Sequence, residues 1–174
     1  MRNSGLIIIY LIFIVAQIIL NNVFNLSQYI ILSFLPAMIV CLPSQSSTGI
    51  NLLVAFAIGF IVDFFSTGMV GMTAVALLPV AFVRNTLLTF IFGEEYFSRR
   101  DDIMSDIQGF RRTIICVEIS LLLYLLIYVI VDSAGTRPFG FNLLRFLISF
   151  IICSGASIFI LQNFSSKDSN SRWN

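Results

Sequence analysis

Six apolar stretches, at residues 6–24, 29–42, 50–65, 71–92, 113–131 and 141–162, follow one another with only short polar connections between most of them. A chain patterned in this way has one outlet for its apolar surface. A bilayer span needs about 20 mostly apolar residues, and inside lipid every backbone polar group has to be satisfied within a helix or a closed barrel. The runs are long and continuous, without the alternation of barrel strands, so the fold class expected is all-α: a polytopic membrane helix bundle of about six transmembrane helices. Composition agrees, since 58% of residues are hydrophobic and 11% charged, with a mean hydropathy of +0.97. Soluble domains carry about 25% charged residues.

From Leu6 to Leu20 the first run is interrupted only by Gln17, and Asn21, Asn22 and Asn25 follow. It lacks a small-x-small cleavage pattern and is expected to remain as a first span. The second run is short and holds Pro36, so it is expected to tilt, kink or re-enter, because proline removes a backbone donor and bends a helix. Pro79 is expected to kink the fourth span. Residues 93–112 form the one long hydrophilic connection. In it Ile103, Ile107 and Phe110 recur at helical spacing among nearly balanced charges, the pattern of a short amphipathic helix. The tail, residues 163–174, is rich in Ser and Asn and is expected to be disordered.

Six crossings would place both termini on one side of the membrane. Arg2, Arg99, Arg100, Arg111, Arg112, Lys167 and Arg172 then share that side, against Arg137 alone in the opposite loops. By the positive-inside rule the termini and the 93–112 loop are expected to be cytoplasmic.

Four ionisable residues fall inside the apolar runs: Asp63, Arg84, Glu118 and Arg145. A charge at mid-span costs roughly 2.5 to 3.5 kcal/mol even on insertion scales, so each is expected to face protein or water. Depth along the spans matches Asp63 with Arg145 near the outer side and Arg84 with Glu118 nearer the inner side. These two intramembrane partnerships are the expected arrangement. Gly59, Asp63 and Ser66 share one helix face, extended by Ala55. A second small stripe, Ser149, Cys153 and Ala156, is a plausible surface to receive it.

Catalytic chemistry has little to stand on. The chain contains no His, and its cysteines, Cys41, Cys116 and Cys153, are scattered without paired spacing. Neither a phosphate-binding Gly-Lys loop nor a nucleophile elbow occurs. No catalytic residue, metal site or cofactor is therefore expected, nor any partnership with nucleic acid.

The spacing Gly59-x3-Asp63-x2-Ser66-x4-Gly71 between two apolar helices resembles the signature of the MreD family, small bacterial rod-shape-determining membrane proteins. The first helix ending in Asn, Pro36 in the second run and the charged stretch before the fifth span also resemble that family. Many members carry His or Arg just after the second glycine, where this chain has Thr73. The resemblance implies a non-enzymatic scaffold of lateral peptidoglycan synthesis in the bacterial inner membrane. Its implied partners are an MreC-like bitopic protein, with MreB filaments and wall-synthesis enzymes directly or indirectly, and membrane lipid. It also implies a fold similar to the substrate-binding subunits of energy-coupling-factor transporters. Apart from the resemblance, a small-molecule-binding subunit of a transporter is the alternative, because the buried charges could line a cavity.

Overall fold

The chain folds as a helical bundle in a computed structural model. The structure describes residues 2–24, 30–42, 46–66, 69–93, 107–133 and 138–170, with the backbone alone for 2–9, 24, 107–109 and 159–170. Six helices occur among the described residues: α1 (Arg2–Phe24), α2 (Leu35–Val40), α3 (Thr48–Phe65), α4 (Met72–Phe92), α5 (Ile107–Ser133) and α6 (Phe139–Asn170). Four segments are long and apolar enough to cross a membrane: Thr48–Phe65, Met72–Phe92, Phe110–Ser133 and Phe139–Ile158. A shorter apolar helix covers Tyr10–Val23. This is a membrane-embedded helical protein.

The helices begin and end where local chemistry requires it. Ser47 opens α3, its hydroxyl accepting from the Ile50 N–H at 3.4 Å. Such a cap satisfies one of the amide groups that the first helical turn leaves free. Pro36 lies in the first turn of α2, where its missing N–H costs nothing. It therefore helps to start a six-residue helix instead of kinking a longer one. The expected span at 29–42 is broken: residues 30–34 are non-helical and α2 follows them. Helix α4 runs on through Pro79.

Two further expectations are corrected at the edges. The last helix continues to Asn170, so residues 163–170 extend α6 instead of forming an unstructured tail. No Gly or Pro occurs between Ala156 and Asn170 to stop it. Helix α5 starts at Ile107, six residues before the expected start at Thr113, and absorbs the end of the 93–112 connection. The rest of the amphipathic stretch, including Ile103, lies outside the described residues, as do residues 171–174.

Packing is sequential, α3 on α4, α4 on α5 and α5 on α6, with α2 lodged against α4 and α5 and α1 against α3. The core contains Phe34, Leu35 and Ile39 beside Ala55, Val62, Leu77, Val80, Leu121, Tyr124 and Leu125. The outer faces are apolar as well. Phe56, Phe60 and Phe64 stack along the exposed side of α3, and Phe90 and Phe139 are almost fully exposed. Large apolar groups point outward while Gln17, Asn51, Asp63, Arg84 and Arg145 are buried. Lipid as the outer solvent accounts for both.

Candidate functional site

Two buried charges, Asp63 and Arg84, serve helix ends. Asp63 lies in the last turn of α3, and its Oδ2 accepts from the Gly71 N–H and the Thr73 N–H, each at 2.9 Å. Gly71 is the residue before α4 and has φ of +97°, a conformation that glycine adopts without steric cost. Having no side chain, Gly71 cannot cap the helix it introduces. Asp63 supplies the cap from the preceding helix, and its negative charge sits against the positive end of the α4 dipole. The Thr73 hydroxyl is directed at the same carboxylate.

The other motif residues serve the same hairpin. A Cβ placed on Gly59 would lie 2.5 Å from the Ala74 Cα and 2.7 Å from its backbone nitrogen, so glycine here lets α3 and α4 touch backbone to backbone. Ser66 ends α3, its N–H donating to the Val62 carbonyl at 3.0 Å. Its hydroxyl accepts from Asn21 Nδ2 of α1 at 3.4 Å, while Asn22 Nδ2 donates to the Phe65 carbonyl at 3.3 Å. The motif thus builds one α3–α4 corner and ties α1 to it.

Arg84 performs the converse task for α2. Its Nε and Nη2 donate to the Val40 carbonyl at 3.3 Å each, and Nη2 also donates to the Leu42 carbonyl. A cation at the negative end of a helix complements its dipole and satisfies carbonyls that the last turn leaves free. Nη1 donates to Asn85 Oδ1 at 2.9 Å. Asn85 in turn accepts from Asn51 Nδ2 at 3.1 Å and donates to Thr48 Oγ1 at 3.1 Å. Arg84 and Asn51 have no solvent exposure.

Between these two capped ends lies the broken second run. Its non-helical backbone is buried and is held by side chains of α1 and α6. Gln17 donates to the Leu32 carbonyl at 2.8 Å and accepts from the Phe34 N–H at 3.2 Å. The Ile31 N–H donates to Ser149 Oγ at 2.8 Å. The Ser33 N–H donates to Cys153 Sγ at 3.3 Å, and that thiol donates to the Ile31 carbonyl at 3.2 Å. Non-helical backbone at membrane depth is tolerated only where protein or a wet cavity satisfies it. Gln17, Ser149 and Cys153 are the satisfying groups.

Both expected charge pairs are corrected. Arg145 forms its ion pair with Asp132, not Asp63. Asp132 lies in the last turn of α5 and Arg145 in the second turn of α6, two helices that pack against each other. Glu118 accepts from Ser154 Oγ at 2.8 Å and is not joined to Arg84, whose guanidinium is turned to the α2 carbonyls. Depth matched the charges, but helix termini competed for them. The stripe of Ser149 and Cys153 faces residues 31–33 instead of the Asp63 face.

Gln17, Asn51 and Asn85 are the site residues that sequence reasoning passed over. The signal for Gln17 was present, a lone amide in an apolar run. For Asn51 it was weaker, because it lies near the start of its span where an amide is unremarkable; Asn85 lies well inside α4 beside Arg84 and carried the same signal as Gln17. Among the described residues, no three His, Cys, Asp or Glu side chains come together in a way that could hold a metal. The arrangement suits rigid cross-linking of helix ends. No family model, curated protein or solved structure matches the chain.

Proposed function

We propose that this chain is a non-enzymatic scaffold of the bacterial cell-elongation machinery, an MreD-like protein of the inner membrane with both termini cytoplasmic. It binds an MreC-like bitopic protein and through it acts with MreB and the wall-synthesis enzymes. The observation that supports this reading most is that all four residues of the family-like motif, Gly59, Asp63, Ser66 and Gly71, serve one rigid corner. A scaffold needs a bundle that does not rearrange when partner helices dock, and buried caps provide that rigidity. Gentle-detergent purification of the tagged protein from its host is the test. Recovery of an MreC-like protein with wall-synthesis enzymes, together with loss of rod shape on depletion, is expected.

A second reading, a small-molecule-binding subunit of a transporter, draws on the buried non-helical segment at residues 31–34. Interrupted helices near mid-membrane are a common way for transporters to present backbone groups to a substrate. Here Gln17, Ser149 and Cys153 already occupy several of those groups, which favours the scaffold. Co-purification of a vitamin-sized molecule or an ATPase module would reverse that preference.

A further inference from the structure

Among Asp63, Arg84, Glu118 and Arg145, Glu118 alone is only half-buried. Asp63, Arg84 and Arg145 are all buried and engaged with helix ends or an opposite charge. Among the described residues Glu118 has a single hydrogen bond, from Ser154 Oγ of α6 at 2.8 Å. An ionised carboxylate offers about four acceptor positions. The exposed arginines Arg111 and Arg112 mark where α5 enters the apolar region. Glu118 is six residues further on, about 9 Å deeper at ~1.5 Å per residue. Lys and Arg can reach back to an interface from such a depth along their long stems, but the short Glu side chain cannot.

The surroundings of this carboxylate are apolar and open. Ile115 and Leu122 flank it on α5, both exposed, and Ile151 of α6 is 71% exposed. Gly155, next to Ser154, is exposed and would have no atom within 4 Å of an added Cβ. Gly155 lies on the open side of α6, one turn from Ile151, and a small residue beside apolar ones lets a second backbone come close. A second copy of this chain is a poor occupant. A twofold pair centred on the α5–α6 seam would set one Glu118 against the other in a low-dielectric layer.

We infer that the α5–α6 seam docks a single transmembrane helix of a different protein, and that this helix presents a Lys or Arg side chain to Glu118. The docked cation removes the cost of the unpaired carboxylate, so the partner is selected by the position of its charge within the span. The inference rests on the scaffold reading and adds the face and the chemistry of the contact.

The test uses the full chain in its host membrane, with a benzophenone-bearing residue introduced in place of Ile151. Ultraviolet light should yield an adduct with a single-span protein whose span carries Lys or Arg at the depth of Glu118. Glu118→Lys should lower the adduct yield by about tenfold or more, and changing the partner's basic residue to Glu should restore it, since like charges at a buried contact are strongly disfavoured. Glu118→Gln, which keeps an acceptor for Ser154, should lower the yield less, and the recovery of the Glu118→Lys variant by the partner's exchange shows that its loss is not misfolding. An unchanged yield with Glu118→Lys, adducts with lipid alone, or an adduct of two copies of this chain would each overturn the inference. The two readings fail separately. If an MreC-like protein co-purifies but Ile151 captures only lipid, the scaffold stands and the seam falls. If Ile151 captures a basic single-span protein but no wall-synthesis component co-purifies, the seam stands and the scaffold falls.

Discussion

Thr73 and Asp63 are ten residues apart in sequence and joined by a 2.9 Å hydrogen bond from the Thr73 N–H to the Asp63 carboxylate. This contact fixes the start of α4 against the end of α3. The charge is used locally, on amides, and does not depend on any cation across the bundle.

Asp63→Ala should therefore destabilise the protein more than Asp63→Asn. The alanine variant leaves the Gly71 and Thr73 amides without their acceptor, at about 1 to 3 kcal/mol for each buried group. The asparagine variant keeps an acceptor oxygen and loses mainly the dipole contribution, about 0.3 to 2 kcal/mol. Thermal unfolding in detergent should rank wild type above Asn and Asn above Ala. The exchange Asp63→Arg with Arg145→Asp should not restore stability, because these two residues are not partners; recovery in the double variant would contradict the capping role.

Gly59→Ala should loosen the α3–α4 contact, with a loss of about 1 to 3 kcal/mol typical of overpacking. Ala74→Gly should fail to rescue it. The atoms that a new Cβ would meet first are the Cα and the backbone nitrogen of residue 74, and both remain after that change. Melting of the single and double variants in the same detergent decides the matter.

Arg84→Lys should behave as a damaging substitution despite its retained charge. A lysine has no planar fork to reach the Val40 and Leu42 carbonyls together. Arg84→Met should cost more, about 1 to 3 kcal/mol for each buried carbonyl that it leaves without a donor. Cys41 follows directly on α2. Its labelling by a membrane-permeant maleimide, read by peptide mass spectrometry, should quicken in the order wild type, Lys, Met.

Gln17→Leu should release the broken segment. The side chain holds both the Leu32 carbonyl and the Phe34 N–H, and each buried backbone group left unpaired costs about 1 to 3 kcal/mol. Amide hydrogen exchange across residues 31–34 should rise by more than tenfold, since about 1.4 kcal/mol already corresponds to tenfold. Cys153→Ala should have a smaller effect, because a thiol is a weak donor and acceptor.

The sequence by itself determined that the chain enters a membrane, that it is helical and where most helices run, because a long apolar run has few other ways to satisfy its backbone in lipid. It also singled out the Gly59 to Gly71 spacing and marked Asp63, Arg84, Glu118 and Arg145 as residues that need compensation. Only the tertiary structure decided what compensates them. Depth along a span limits which charges can meet, yet a helix terminus carries its own partial charge at the same depth, and that competitor is invisible until helix ends are located. Asp63 went to the start of α4 and Arg84 to the end of α2 for this reason. Arg145 went to Asp132, which the packing of α5 on α6 brings within reach. The break at residues 30–34 likewise depended on contacts more than a hundred residues away, from Ser149 and Cys153, which local propensity cannot contain.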